Sequence, residues 1–384
     1  MMKTFALLTA LAFCLLTEVS AKDVHKELDV KPGQKLEMNS KSGGDIEISS
    51  WDEDKVSVDA KLEGRDGEDP DLSINPVSGG VEITTEYSHD HHDWQGKVEF
   101  RIKVPKKFDL DLTSSGGEFR LDGVEGTLEG TTMGGQLHLS NLTGKITFKT
   151  MGGDITVSKS HCDGKVTTMG GQVRIEDVVG NVDGETMGGS VTYENVKGIQ
   201  HESGGQEIRT RSKGGEITVD DAPNGADLET MGGDITVHTA QKYVKARTMG
   251  GNIEIGSVDG GLHLVTMGGN VSATMTGDAA NGDRDVYISS MGGDITLIVP
   301  DKFSMDIDLT IAYTKDGEIH GEHGKPQIVS DFNLAQNEST DWEHEHGTPR
   351  KYIYGKASVA GGKNKIHIET INGDVSIKKA GDAK

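Results

Sequence analysis

Apolar and polar residues alternate one for one through most of this chain. In Asp154-Ile155-Thr156-Val157, Gln172-Val173-Arg174-Ile175 and Asn252-Ile253-Glu254-Ile255 the apolar side chains hold the second and fourth places. That is the period of a strand buried on one face. A second kind of run, as in Ile146-Thr147-Phe148-Lys149-Thr150 or Leu262-His263-Leu264-Val265-Thr266, places apolar, apolar and threonine on its inward side. A short turn, often carrying glycine (SNLTGK, SVDGG), joins the first kind of run to the second. No stretch beyond the first twenty residues or so sustains a period of 3.6, so almost no helix is expected.

Glycine pairs punctuate the alternation. Pairs open at Gly116, Gly134, Gly152, Gly170 and Gly188 at one constant interval, and again at Gly214, Gly232, Gly250 and Gly268 at the same interval. Between the two series lies an irregular patch in which Gly204 opens a 10-residue unit, and Gly292 follows a longer unit than the rest. Pairs at Gly43 and Gly79, two such intervals apart, suggest that the register begins earlier. Thr-Met-Gly-Gly occurs seven times. Two short strands bury too little to fold alone, but coils stacked at about 4.8 Å cover one another's apolar columns and pair one another's backbones. The expected fold is all-β: a parallel β-solenoid, a single-stranded β-helix of 18-residue coils, with a glycine corner and an irregular β cap at each end.

The expected divisions are a leader at 1–21, a β-rich N-terminal cap with first coils at 22–112, regular coils at 113–299 and a C-terminal β-rich cap at 300–384. The flanks carry long strand-like runs such as KVEFRIKVP and KFSMDIDLTIAY, and such segments serve to cover the open edges of a solenoid. The order of GGDIEISSWDEDKVSV, KVPKKFDLDLTSSGGEFRLDGVEG, iterated GG-D-I-T-V coils, DITLIVPDKFSMDIDL and ETINGDVSIKK resembles a family of exported bacterial β-strand-repeat proteins of unknown function labelled putative adhesins. The resemblance spans nearly the whole chain after the leader. It implies a surface or envelope role and brings no catalytic motif.

Composition adds the compartment. The start reads MMK, then TFALLTALAFCLL, then Val19-Ser20-Ala21, the layout of a cleavable secretory leader. Export to the periplasm, the cell surface or the medium is expected, with no transmembrane segment. Beyond the leader only Cys162 remains, so no internal disulfide is expected. There are 39 basic and 62 acidic residues, a net charge of -23, which excludes nucleic acid as a partner.

Chemistry is harder to find. His89, His91, His92 and Asp93, with Asp90 among them, could share a transition metal, since residues two apart on an extended chain face the same side. The plainer reading is a solvated loop. His320, His323, His344 and His346 form a second set of the same kind. The acids beside the corner, Asp154, Asp234 and Asp294, alternate with Gln136, Gln172, Ser190, Asn252 and Asn270, which reads as turn chemistry rather than paired carboxylates for glycoside cleavage. Trp51, Trp94 and Trp342 all fall outside the regular coils, which argues against a sugar-stacking groove along them. Cys162 reads as a free thiol. No catalytic residue and no cofactor are expected. The expected function is non-catalytic binding of an envelope or surface protein or carbohydrate, and the alternative is a metal-binding or carbohydrate-active protein using the histidine loops.

The methionines of the corner pose the sharpest question. Strict alternation points Met133, Met151, Met169, Met187, Met231, Met249 and Met267 outward. One reading makes them an exposed stripe that docks a partner. The other, expected, reading has the corner turning each onto the strip left bare by the glycines, where it would be buried.

Overall fold

The computed structural model describes residues 21–63, 70–86, 97–197, 207–278, 283–315, 318, 324–344 and 347–381. Thirty-one strands lie among the described residues and join into one continuous hydrogen-bonded sheet. The central coils are parallel, and each strand lies beside its counterpart one repeat further on. Leu128 lies beside Ile146 and Phe148 beside Val166, while on the other side of the corner Leu137 lies beside Ile155 and Ile155 beside Val173. The chain is a β-solenoid.

The inward columns form the core: Val, Ile, Leu and Phe with nearly no exposure, from Leu36 to Ile377. Because coils stack directly, aliphatic side chains rest on aliphatic side chains, and a ring can take its room from a glycine in the neighbouring coil. The ring of Phe148 occupies the space beside Gly130, its register partner, where a Cβ would come within 2.5 Å of the ring. A second bend falls at Asn141, Lys159, Asp177 and Asn195, all left-handed at φ of 50–54°. Asn141 Nδ2 donates to Asp122 Oδ1 at 2.6 Å, and Asn195 Nδ2 to Asp177 Oδ1 at 2.6 Å, so these two bends are tied to the coil before them. Short polar side chains tolerate this backbone region better than branched ones.

Two irregularities differ from the sequence expectation. The pair at Gly204 lies outside the described residues, and the corner at Gly188–Gly189 stacks directly on Gly214–Gly215. One coil is therefore longer than its neighbours: Thr186 lies beside Ser212 and Val191 beside Ile217. The pair at Gly79 is no corner of the series. Gly80 begins the strand Gly80–Glu86, beside Lys35, whereas Gly43–Gly44 stacks on Gly116–Gly117, much later in the chain.

Both ends are laced out of sequence order. At the N-terminal end, Lys35–Ser40 lies between Gly80–Glu86 and Asp109–Ser114, parallel to both. Asp45–Trp51 likewise lies between Lys97–Pro105 and Phe119–Asp122. At the C-terminal end, Asn364–Ile371 enters between Val286–Ser290 and Met305–Thr314, and Val375–Lys379 between Ile295–Val299 and Ile328–Ser330. The outermost coils then take antiparallel partners. Lys97–Pro105 pairs with Lys55–Glu63, which pairs with Ala21–Asp29, and Met305–Thr314 pairs with Arg350–Val359.

Candidate functional site

The corner is assembled from four residues with separate tasks. Its threonine faces inward and is buried, yet its hydroxyl is satisfied. Thr168 Oγ1 donates to the Gly153 carbonyl of the preceding coil at 2.9 Å and accepts from the Gly171 N–H at 3.2 Å. Thr186 (2.8 Å), Thr248 (2.9 Å) and Thr266 (2.8 Å) repeat the donation to Gly171, Gly233 and Gly251, and Ser290 and Thr370 do so at 2.9 and 2.7 Å. A buried hydroxyl left unpaired is costly, so this column accepts only serine and threonine.

The two glycines are not equivalent. A Cβ on Gly153 would lie 1.9 Å from the Gly135 carbonyl oxygen, so the second position of the pair admits no side chain. Close approach of backbones is the cause, since among the corner pairs only Gly43, Gly44, Gly117 and Gly135 have left-handed φ. A Cβ on Gly152, by contrast, meets nothing within 4 Å. The first glycine is sterically free.

Once the threonine is pinned inward, the methionine after it points out. Met133, Met151, Met169, Met187, Met231, Met249 and Met267 are 39–59% exposed. The expectation of burial on the glycine strip is therefore corrected, because the hydroxyl fixes the alternation through the corner and leaves no rotation inward. Met291, 51% exposed, extends the column; it follows serine rather than threonine, and searching for Met-Gly-Gly alone would have found it. Lys213, also exposed, takes the methionine's place at one corner.

Where Asp or Asn follows the pair, its side chain binds backbone. Asp154 Oδ1 accepts from Gln172 N at 2.8 Å, Asp234 Oδ1 from Asn252 N at 2.6 Å, Asn270 Oδ1 from Asp294 N at 2.8 Å and Asp294 Oδ1 from Asp374 N at 2.7 Å. Carboxylate and amide oxygens do this equally well, which is why they interchange.

Other candidates stand apart from the corner. His89, His91, His92 and Asp93 lie outside the described residues, as do His320, His323 and His346, while His344 is exposed. Among the described residues, no three His, Cys, Asp or Glu side chains are placed to hold a metal ion. Cys162 is buried, and burial, with a smaller contribution from the Asp163 charge, pushes its thiol up to about 12. A shallow outer groove is lined by Asp183, Glu185, Arg209, Arg211, Asp227 and Glu229. Its acids have basic neighbours: Glu185 with Lys165 at 2.7 Å, Glu229 with Arg211 at 3.5 Å and Asp227 with Lys245 at 3.3 Å. Burial raises the Asp183 carboxyl above the usual carboxylate range. Sequence reasoning missed an outward stack of His263, Tyr287 and His367, with ring centroids 4.9 and 5.6 Å apart. The three rings come from distant parts of the sequence, and only the stacking order of their strands reveals them. Burial, then Arg247 and Lys245, holds the His263 imidazole below its ordinary value.

Fold and corner together define a glycine-cornered parallel β-solenoid. The Toastrack DUF4097 family model matches residues 33–297, and the chain belongs to that family. Three solved structures are similar at low identity. One is described as a putative cell adhesion protein from Clostridium sporogenes (10% identity, covering 94% of this chain and 100% of that one, TM-score 0.18). The second is a putative adhesin from Parabacteroides distasonis (12%, 73% and 90%, TM-score 0.23) and the third a putative adhesin from Bacteroides fragilis (12%, 94% and 99%, TM-score 0.19). No curated protein matches the chain. Among the described residues, no helix is long and apolar enough to cross a membrane.

Proposed function

We propose that this is an exported, non-catalytic binding protein of the cell envelope or surface, and that the methionine corner is its binding element. The observation that carries the reading is the corner column itself: eight methionines, 39–59% exposed, set one above another along the stack and interrupted once, at Lys213. A soluble protein rarely leaves so many large apolar side chains contiguous and uncovered unless the surface binds something. The non-catalytic part is supported by the use of the repeated acids Asp154 and Asp234 as backbone acceptors. Export is supported by the leader-like start. Fractionation of expressing cells, with protease treatment of intact ones, tests the compartment. Recovery in the periplasmic, surface or secreted fraction is expected, and recovery in the cytosol overturns export.

A further inference from the structure

The corner column can be compared with the columns beside it, coil by coil. Two residues before the methionine, the outward column reads Thr131, Lys149, Thr167, Glu185, Arg211, Glu229, Arg247, Val265 and Ser289. An inward column of the same strands reads Gly130, Phe148, Val166, Gly184, Thr210, Leu228, Ala246, Leu264 and Ile288. Both have diverged freely. Over the same nine coils the corner position reads Met at eight and Lys213 at one. Packing does not impose this, because the side chains are about half exposed, and simple apolarity does not either, because leucine, isoleucine and valine would serve equally. What methionine has and the others lack is the thioether sulfur.

Thioether is a neutral, soft donor. It has little affinity for zinc, calcium or magnesium and a marked one for monovalent copper. Each chain of three methylene-type torsions is flexible, and successive corners are spaced at about 4.8 Å. Sulfurs of two or three consecutive coils can therefore converge on one ion without moving the backbone. The first glycine places no side chain beside the methionine, and next to Met133 and Met151 a Cβ there would meet nothing within 4 Å. The acids after the pair, among them Asp154, Asp234 and Asp294, and the net charge of -23 draw cations to the corner.

We propose that the methionine column is a binding site for Cu(I), divided by Lys213 into two runs, Met133 to Met187 and Met231 to Met291. The inference rests on reading the corner as a binding surface, and it is independent of where the protein resides. Ion binding involves no electron transfer, so the metal must arrive already reduced.

The full chain, purified without a histidine tag, is titrated anaerobically with Cu(I) against a competing Cu(I) chelator, and with Ag(I) as a redox-inert counterpart. More than one ion per chain is expected, with sulfur as the only donor in X-ray absorption spectra. Thioethers carry no proton to displace, so loading at pH 4.5 should equal loading at pH 7, unlike loading on imidazoles. The variant Met151→Leu/Met169→Leu/Met187→Leu keeps the apolar stripe and should lose roughly half of the bound ions with an unchanged melting temperature. The matching variant Met231→Leu/Met249→Leu/Met267→Leu should lose the other half, so a folding failure in one leaves the other to decide. Equal loading by the variants, nitrogen or oxygen donors in the spectra, or failure to compete with the chelator overturns the proposal. A cytosolic location in the fractionation experiment would overturn export and leave this result standing.

Discussion

Two adjacent glycines at a regular corner have opposite tolerance for a methyl group. Gly152→Ala adds a Cβ into open space and should change stability by less than about 1 kcal/mol. Gly153→Ala drives a Cβ into the Gly135 carbonyl and should exceed about 3 kcal/mol, beyond the usual range for a point change. Urea denaturation of the two variants reads the difference, and similar midpoints would disprove the assignment of roles within the pair. The exposed methionines make a second contrast. Mild peroxide should convert Met151 and Met249 to the sulfoxide well before Met38, Met275 and Met305, which are at most 1% exposed, as peptide mass mapping would report. Cys162 supplies a pH dependence. Its folded-state value is raised, so the protonated thiol is favoured in the native state and the contribution is complete below the ordinary value of 9.0. Between there and about 12 the unfolded chain loses the proton while the native chain keeps it, and stability should fall by about 1.4 kcal/mol per pH unit. Cys162→Ala should flatten that alkaline decline.

At the scale of the element, the corner strands are held by their neighbours above and below, and the final coil has both. Asn364–Ile371 and Val375–Lys379 sit inside the stack, between Val286–Val299 and the coil containing Met305–Thr314. Ending the chain at residue 363 therefore removes an inner layer and strips two further coils of their partners. The expected outcome is aggregated or unfolded protein, because the loss is comparable with the whole stability of a domain, about 5–15 kcal/mol. Light scattering and a thermal melt check it, and a soluble monomer with an unchanged melting temperature would contradict the lacing. The regular coils were legible in the sequence because each residue's spatial neighbour stands one constant interval away, and repetition writes that interval many times over. The ends were not, because Gly43 finds its partner at Gly116 and Gly293 at Gly373, and a contact made once leaves no period to detect. The corner was half legible. Alternation placed Met151 outward, but the Thr168-type hydroxyl bridge that enforces it joins a side chain to a carbonyl 15 residues away, which no local pattern shows.

For the molecule as a whole, stacked corners run from Gly43 through Gly116 and the regular series to Gly373. Eleven steps between these twelve corners, at about 4.8 Å each, give a core of roughly 53 Å along the stacking axis before the antiparallel end strands are added. Small-angle scattering should show an asymmetric distance distribution with a long tail. A symmetric one with the radius of gyration of a compact chain of this length, about 21 Å, would count against the rod. The interlaced ends also constrain how such a protein can change its length through evolution. A coil added beyond either end of the stack would meet an antiparallel strap instead of a waiting corner, so it could not join the series. One coil's worth of chain duplicated in the middle would find the same hydroxyl, the same carbonyl and the same bare glycine on both sides. Growth is thus confined to the interior, and the identical phrase TMGGDITV at 150–157 and 230–237, both deep within the regular coils, sits where such a gene would be expected to copy itself.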